Sequence, residues 1–294
     1  MPMTPRPRRS LLYMPGSNAR ALEKGRNLDA DSLILDLEDA ITPDAKEIAR
    51  SQILDALNKG GYGHRELIVR VNAINTLWGK EDIAAMATSG AHGILLPKVD
   101  SAIMVQEAEA LMVASKAPDD MAIWTMMETP LGILHSEEIA FSSSRMGGLV
   151  LGTSDLVKNL HCSHTHERLP IVTSLGLCIL AARAAGIAVI DGVHTDLSDD
   201  KGFEYSCRQG LEMGFDGKSL IHPKTIEIAN SVYSPSEDEL LWSRTIIEAH
   251  GKAKKEGQGV IVIEGKVIEE LDVQNAKRLV AMADFILATE SKAV

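Results

Sequence analysis

"SLILDLEDAITPDAK", residues 32–46, opens as a buried strand and then places three acids in four positions. Ser32, Leu33, Ile34 and Leu35 are small or apolar; Asp36, Glu38 and Asp39 follow at once, and Pro43 ends the extended stretch. A short apolar run closed by acids and a proline is a strand delivering charge to one end of a sheet. Seven further runs share its apolar character, at 10–15, 66–71, 93–98, 121–127, 148–152, 186–192 and 217–222. They do not alternate polar and apolar, so each is covered on both faces, as strands of a parallel sheet are.

Helical stretches separate the strands. "DAKEIARSQILDALNKG" (44–60) puts Ile48, Ile53, Leu54 and Leu57 on one face and stops at Gly60 and Gly61. Residues 99–116 and 174–186 show the same period. Spacings of roughly 25 to 35 residues match repeated βα units, and eight of them close into a (β/α)8 TIM barrel of the α/β class. A doubly wound sheet is the rival architecture, but "MPGSN" (14–18) is too short for the glycine-rich phosphate loop expected after its first strand. The barrel is expected over residues 1–233, with 223–233 its last helix. Residues 234–294 form an extension: a helix capped by Ser236 and Glu239, then a β-hairpin and a final helix. The extension is too small for an independent core, so it is expected to pack on the barrel or on a neighbouring subunit.

Composition narrows the function. The 294 residues are 45% apolar and 24% charged, with a formal charge of −11. Such an acidic surface offers no footprint for nucleic acid or an anionic membrane. No run approaches the roughly 18 uncharged apolar residues of a membrane span. "MPMTPRPRR" has no apolar core, so it reads as a loose arm rather than a secretory signal. Cys162, Cys178 and Cys207 are odd in number and widely spaced, which fits thiols of the cytoplasm.

Functional groups of a barrel sit at the C-terminal ends of its strands. Collected there are Asp36, Glu38 and Asp39, then Arg70 and Asn72, Pro97 and Lys98, Glu128, Ser154 and Asp155, Asp191 and His194, and His222. Glu128 and Asp155 each follow an apolar strand and have no cation close in sequence. Two hard oxygen ligands, with water and substrate completing the shell, describe Mg²⁺, whereas zinc would recruit His or Cys. Helix capping is the competing reading of the same pair, since both precede helical stretches. "HCSHTHERLP" (161–170) carries His161, His164 and His166, but its spacing matches no strong zinc signature, and it reads as a structural or gating loop. Arg70 lies within an apolar strand and cannot shed its charge, so it needs Glu38 or Asp39, or an oxyanion, beside it.

Taken in order, "RRSLLYMPGSN", "DSLILDLEDAITPDAK", "VRVN", "GILLPK", "METPLGI", "GTSDL", "DGV" and "GFDGKSLIHPKTIEIAN" resemble the citrate lyase β-subunit family, which includes malyl-CoA and citramalyl-CoA lyases and is related to the HpcH/HpaI aldolases. The resemblance implies a Mg²⁺-binding TIM barrel assembled as a homotrimer or homohexamer and acting on acyl-CoA thioesters with a 2-oxo acid as product or partner. It implies Glu128 and Asp155 as metal ligands and Arg70 beside the thioester carbonyl. Glu38 and Asp39 become acids that orient the arginine or metal-bound water, with Arg9 close to them. Tyr13, Asn18, Arg20 and Lys24 fall where the family meets the CoA nucleotide. Members that also hydrolyse their product carry an aspartate in a tail motif G-K-x-I-D-x-P. This chain reads "GKVIEELD" (265–272), with Glu269 at the aspartate position and Leu271 in place of the proline. Three functions are expected from this reading. The first is retro-Claisen cleavage of malyl-CoA or citramalyl-CoA to acetyl-CoA and glyoxylate or pyruvate. The second is a (3S)-malyl-CoA thioesterase on the same scaffold, and the third a citrate lyase β-subunit within a complex.

Overall fold

The computed structural model of the chain describes residues 6–255 and 261–290. All eight apolar runs form strands: β1 (Ser10–Pro15), β2 (Ser32–Asp36), β3 (Glu66–Arg70), β4 (Gly93–Leu96), β5 (Ala122–Met127), β6 (Met146–Leu151), β7 (Ala188–Asp191) and β8 (Gly217–Leu220). Each pairs in parallel with the next, and β8 returns to β1, so the sheet closes into the barrel that the sequence predicts. The intervening helices are α1 (Ala19–Gly25), α2 (Lys46–Lys59), α3 (Gly79–Met86), α4 (Ala102–Ala114), α5 (Pro130–Leu134), α6 (Ser136–Ala140), α7 (Thr153–Asn159), α8 (Val172–Ala185), α9 (Asp200–Met213) and α10 (Ile226–Tyr233). On α2 the buried face is Lys46, Ala49, Ile53 and Leu57, while Ile48, expected on that face, is exposed. Lys46 takes the inward position because its ammonium finds acceptors beneath the helix, described below.

Trp124 fills the barrel interior and is fully buried. Three glycines make room for it. A Cβ on Gly148 would stand 2.8 Å from Trp124 Cε3 and 2.7 Å from the Ala188 carbonyl, and one on Gly147 would stand 2.8 Å from Trp124 Nε1; Gly93 approaches the ring edge as well. At the N-terminal ends of the strands, Arg8 lies 5.0 Å over the Trp124 ring and forms a bidentate pair with Glu66 at 2.6 and 2.8 Å. Arg9 pairs with Asp31 there. The expectation that Arg9 lies near Glu38 and Asp39 is therefore corrected: it precedes β1, and in a parallel barrel that puts it at the end opposite the acids.

The chain divides into two compact units, Arg8–Tyr233 and a second one from Ser234 onward together with Arg6 and Pro7. The second unit holds α11 (Glu237–Lys255), the hairpin β9 (Ile261–Ile263) and β10 (Lys266–Ile268), and α12 (Glu270–Glu290). Ser236 and Glu239 make the reciprocal capping bonds read from the sequence. The hairpin turns at Glu264 and Gly265, both at positive φ. Ile246, Ile268, Val273 and Ala276 form the buried cluster of this unit. Among the described residues no helix is long and apolar enough to cross a membrane.

Gly148→Ala is expected to destabilise the barrel by about 1–3 kcal/mol through overpacking against Trp124. Gly176→Ala, in the interior of α8 with no heavy atom within 4 Å of the added methyl, is expected to stabilise by about 0.5–1 kcal/mol. Denaturant midpoints measure both; a Gly148→Ala protein as stable as the wild type would contradict the packing described.

Candidate active site

Parallel register sets the site. Asp36, last residue of β2, stands opposite Arg70, last residue of β3. The guanidinium donates Nε to Asp36 Oδ1 and Nη2 to Asp36 Oδ2, both at 2.6 Å. Its Nη1 lies 3.1 Å from Glu38 Oε2 and 3.5 Å from Asp39 Oδ2. The Tyr13 ring packs on the guanidinium face at 4.8 Å. Burial works against the Arg70 charge, but the bonds to Asp36 and the nearby acids outweigh it and hold its pKa above the ordinary value. Burial also raises the Tyr13 phenol, which stays protonated as a donor to Met126 Sδ.

The acids are themselves fixed. Asp36 accepts the backbone N–H groups of Glu38 and Ala40, folding the chain tightly after β2. Lys46 Nζ donates to the carbonyls of Leu37 and Glu38 and to Asn72 Oδ1, at 2.7–2.8 Å. Asn72 is held in turn by Asp82. Lys98 Nζ reaches Glu38 Oε1 at 2.6 Å. Burial pushes the Glu38 carboxyl up, opposed by Arg70 and Lys98. Asp39 is held below its usual range: burial opposes this, and the Glu38 bond, Arg70 and Lys98 outweigh it.

Glu128 and Asp155 follow neighbouring strands, β5 and β6. Glu128 is buried; Oε1 accepts the Lys98 N–H at 2.8 Å, and Oε2 accepts no protein hydrogen bond among the described residues. Burial pushes its pKa up to about 7. A Cβ at Gly152 would stand 2.5 Å from Glu128 Oε2, so only glycine lets that oxygen lie where it does. Capping does not explain Glu128, because Thr129 caps α5 through its own hydroxyl. Asp155 lies in the first turn of α7 and pairs with Lys158 at 3.0 Å. A buried carboxylate that burial drives toward protonation, beside a second carboxylate, is a donor set suited to a hard divalent cation that keeps several waters. No group of three or more His, Cys, Asp or Glu positioned for a metal occurs among the described residues. A cavity of about 450 Å³ opens over this end of the barrel, and its wall includes Tyr13, Asp36, Asp39, Arg70, Glu128 and Asp155. Glu38 and Lys98 lie outside that wall.

The other candidates fall elsewhere. Asn18 caps α1, its Oδ1 accepting the Ala21 N–H. Arg20 and Lys24 are exposed, one turn apart on α1, and are not in the cavity wall that includes Tyr13. Glu269 belongs to the second unit, is exposed, and precedes α12 with its N–H bonded to Asp272 Oδ2. The histidine loop is tied to the barrel by ring stacking and an ion pair. His166 stacks on Tyr205 at 4.0 Å, and Arg168, at φ 55°, donates to both Asp191 oxygens at 2.7 and 2.8 Å. Lys218 completes that buried cluster at 2.6 Å. The sequence places Asp36 and Lys98 at strand ends without a specific role, and Lys46 is not among the candidates read from it.

A closed parallel barrel, a carboxylate-locked arginine and two carboxylates on adjacent strands thus meet at one cavity. The chain belongs to the HpcH/HpaI aldolase/citrate lyase family, which it matches over residues 9–223. It is 47% identical over 282 residues, 96% of either chain, to a (3S)-malyl-CoA thioesterase of Cereibacter sphaeroides (strain ATCC 17025 / ATH 2.4.3). It is 36% identical to the citrate lyase subunit beta of Leuconostoc mesenteroides subsp. cremoris, over 94% of this chain and 93% of that one. The Mycobacterium tuberculosis protein CitE, solved in complex with magnesium, acetoacetate and coenzyme A, is similar with a TM-score of 0.72 and 26% identity, over 94% of this chain and 97% of that one.

Asp36→Ala is expected to lower stability by about 3–5 kcal/mol, because it leaves the buried Arg70 charge without its bidentate partner. Urea unfolding checks this, and a loss below about 1 kcal/mol, the range of an exposed ion pair, would contradict the pairing.

Proposed function

We propose that the chain is a Mg²⁺-dependent acyl-CoA thioesterase that hydrolyses (3S)-malyl-CoA to malate and free CoA. The observation that carries this reading is the cavity in which Arg70 faces the Glu128–Asp155 pair. Its likeness to the Cereibacter thioesterases, at 45–47% identity across 96% of the chain, supports hydrolysis over the cleavage expected from sequence. The citrate lyase β-subunits are less similar, at 34–36%.

In this reading Glu128 and Asp155 hold Mg²⁺, which when bound orients the carboxylate and hydroxyl of the malyl group and screens their charge. Arg70 meets the thioester oxygen, where negative charge develops as water adds to the carbonyl carbon. Asp36, Glu38 and Asp39 keep its guanidinium in one plane and orientation. Tyr13, kept neutral by burial, adds an apolar wall and a phenol rather than a charge. Arg20 and Lys24 offer exposed cations to the CoA phosphates, with Asn18 at the start of the same helix. Glu269, in the second unit, is proposed as the acid that activates water in the site of a neighbouring subunit. Water oxygen bonds to the carbonyl carbon, the C–S bond breaks, and the CoA sulfur leaves with a proton.

C–C cleavage is the second reading, favoured by Arg70 itself, because the same guanidinium would stabilise the enolate of acetyl-CoA. A homotrimer or homohexamer in the cytoplasm is part of the proposal, and the exposed Leu134, at the end of α5, and Phe141, just past α6, support the assembly. The test is a product assay with malyl-CoA and Mg²⁺, analysed by mass. Malate with free CoA is expected, EDTA is expected to abolish it, and Glu269→Ala is expected to slow it by about 10²–10⁴-fold as for loss of a general base. Acetyl-CoA with glyoxylate trapped by phenylhydrazine, and no malate, would overturn hydrolysis in favour of cleavage.

A further inference from the structure

Two residues beyond the end of β4, Lys98 has left-handed backbone, at φ 52°. Glycine adopts that region freely and lysine does not, so a lysine persists there where its surroundings over-determine it. Both ends of Lys98 are held. Its backbone N–H donates to Glu128 Oε1 at 2.8 Å. Its ammonium donates to Glu38 Oε1 at 2.6 Å and lies 3.7 Å from Asp39 Oδ1. Glu38 is thereby shared, with Oε1 on Lys98 and Oε2 facing Arg70 and the Asp39 N–H.

We propose that Lys98 is a positioning residue for the reaction. Its left-handed turn aims one donor at the carboxylate on β5 and the other at the acids flanking Arg70, locking the two halves of the site into one frame. Its two donors are taken up by Glu128 and Glu38, so it acts through them. The assignment rests on the Mg²⁺-dependent thioester chemistry proposed above. A residue that merely forms a turn would be replaced by glycine without loss. One that positions through its ammonium would not.

Lys98→Gly separates the two, since it keeps the N–H, relieves the backbone and removes the ammonium. Its melting temperature is expected to stay close to that of the wild type, because relief of the left-handed backbone offsets the lost Lys98–Glu38 pair. Its kcat is expected to fall about 10- to 100-fold, as for partners that orient active-site ligands, with KM little changed. Mn²⁺ binding without substrate, followed by electron paramagnetic resonance, is expected to survive, because Glu128 and Asp155 remain. Part of the lost kcat is expected to return with added ethylammonium, to which a side chain 46% exposed leaves access, and in Lys98→Arg. Wild-type activity in Lys98→Gly, or loss that neither ethylammonium nor Lys98→Arg relieves, would overturn the assignment alone. A wild-type chain that turns over malyl-CoA neither to malate nor to glyoxylate would overturn the functional reading and this assignment with it.

Discussion

The Asp36–Arg70 pair is the interaction on which the rest of the site depends. A guanidinium inside a parallel barrel cannot lose its proton and is largely withdrawn from water, so the fold must surround it with acids. Asp36 stands across the ladder from it and takes two of its donors. The same carboxylate captures two backbone N–H groups of the chain that follows. That turn is what brings Glu38 and Asp39 back toward the remaining nitrogen of Arg70. The acids in the strand-ending "LDLEDA" are thus answered by one cation on the next strand. What is left uncompensated, Glu128 with Asp155 close by, faces the cavity.

Much of this was legible in the sequence because apolar runs and acids in fixed order survive without a structure. All eight strands, the capped helix at Ser236 and the tail hairpin follow from local pattern. Glu128, Asp155 and Arg70 were legible because each ends an apolar strand. Side-chain direction was not. Which acid meets Arg70 depends on the β2–β3 register, and sequence pointed to Glu38 or Asp39 where Asp36 makes the two-pronged contact. Lys46 opens an amphipathic helix whose pattern marks only its apolar face, yet it is buried under three oxygen acceptors. Arg9, which the family resemblance put near Glu38 and Asp39, precedes β1 and pairs with Asp31 at the opposite end of the strands.

Hydrolysis and C–C cleavage both develop negative charge on the thioester oxygen, so the proposed role of Arg70 is common to them. They differ at carbon: in one, water adds to the carbonyl carbon, and in the other the enolate carbon left by the broken C–C bond takes up a proton. That distinction belongs to the residues that hold or exclude water, which is why likeness to the Cereibacter thioesterases bears on it more than Arg70 does. The locked arginine is common ground, and its geometry is the part of the account most open to direct challenge.

Steady-state kinetics of Arg70→Lys, with CoA release followed by a thiol reagent and folding verified by circular dichroism, address it most directly. A lysine keeps the charge but not the planar fork that Asp36 and Glu38 orient. The account expects kcat to fall by roughly 10²–10³-fold with KM nearly unchanged, as when a donor to a developing oxyanion is lost. A folded variant with wild-type kcat and a raised KM would make Arg70 a binder of substrate carboxylate or phosphate and contradict the account.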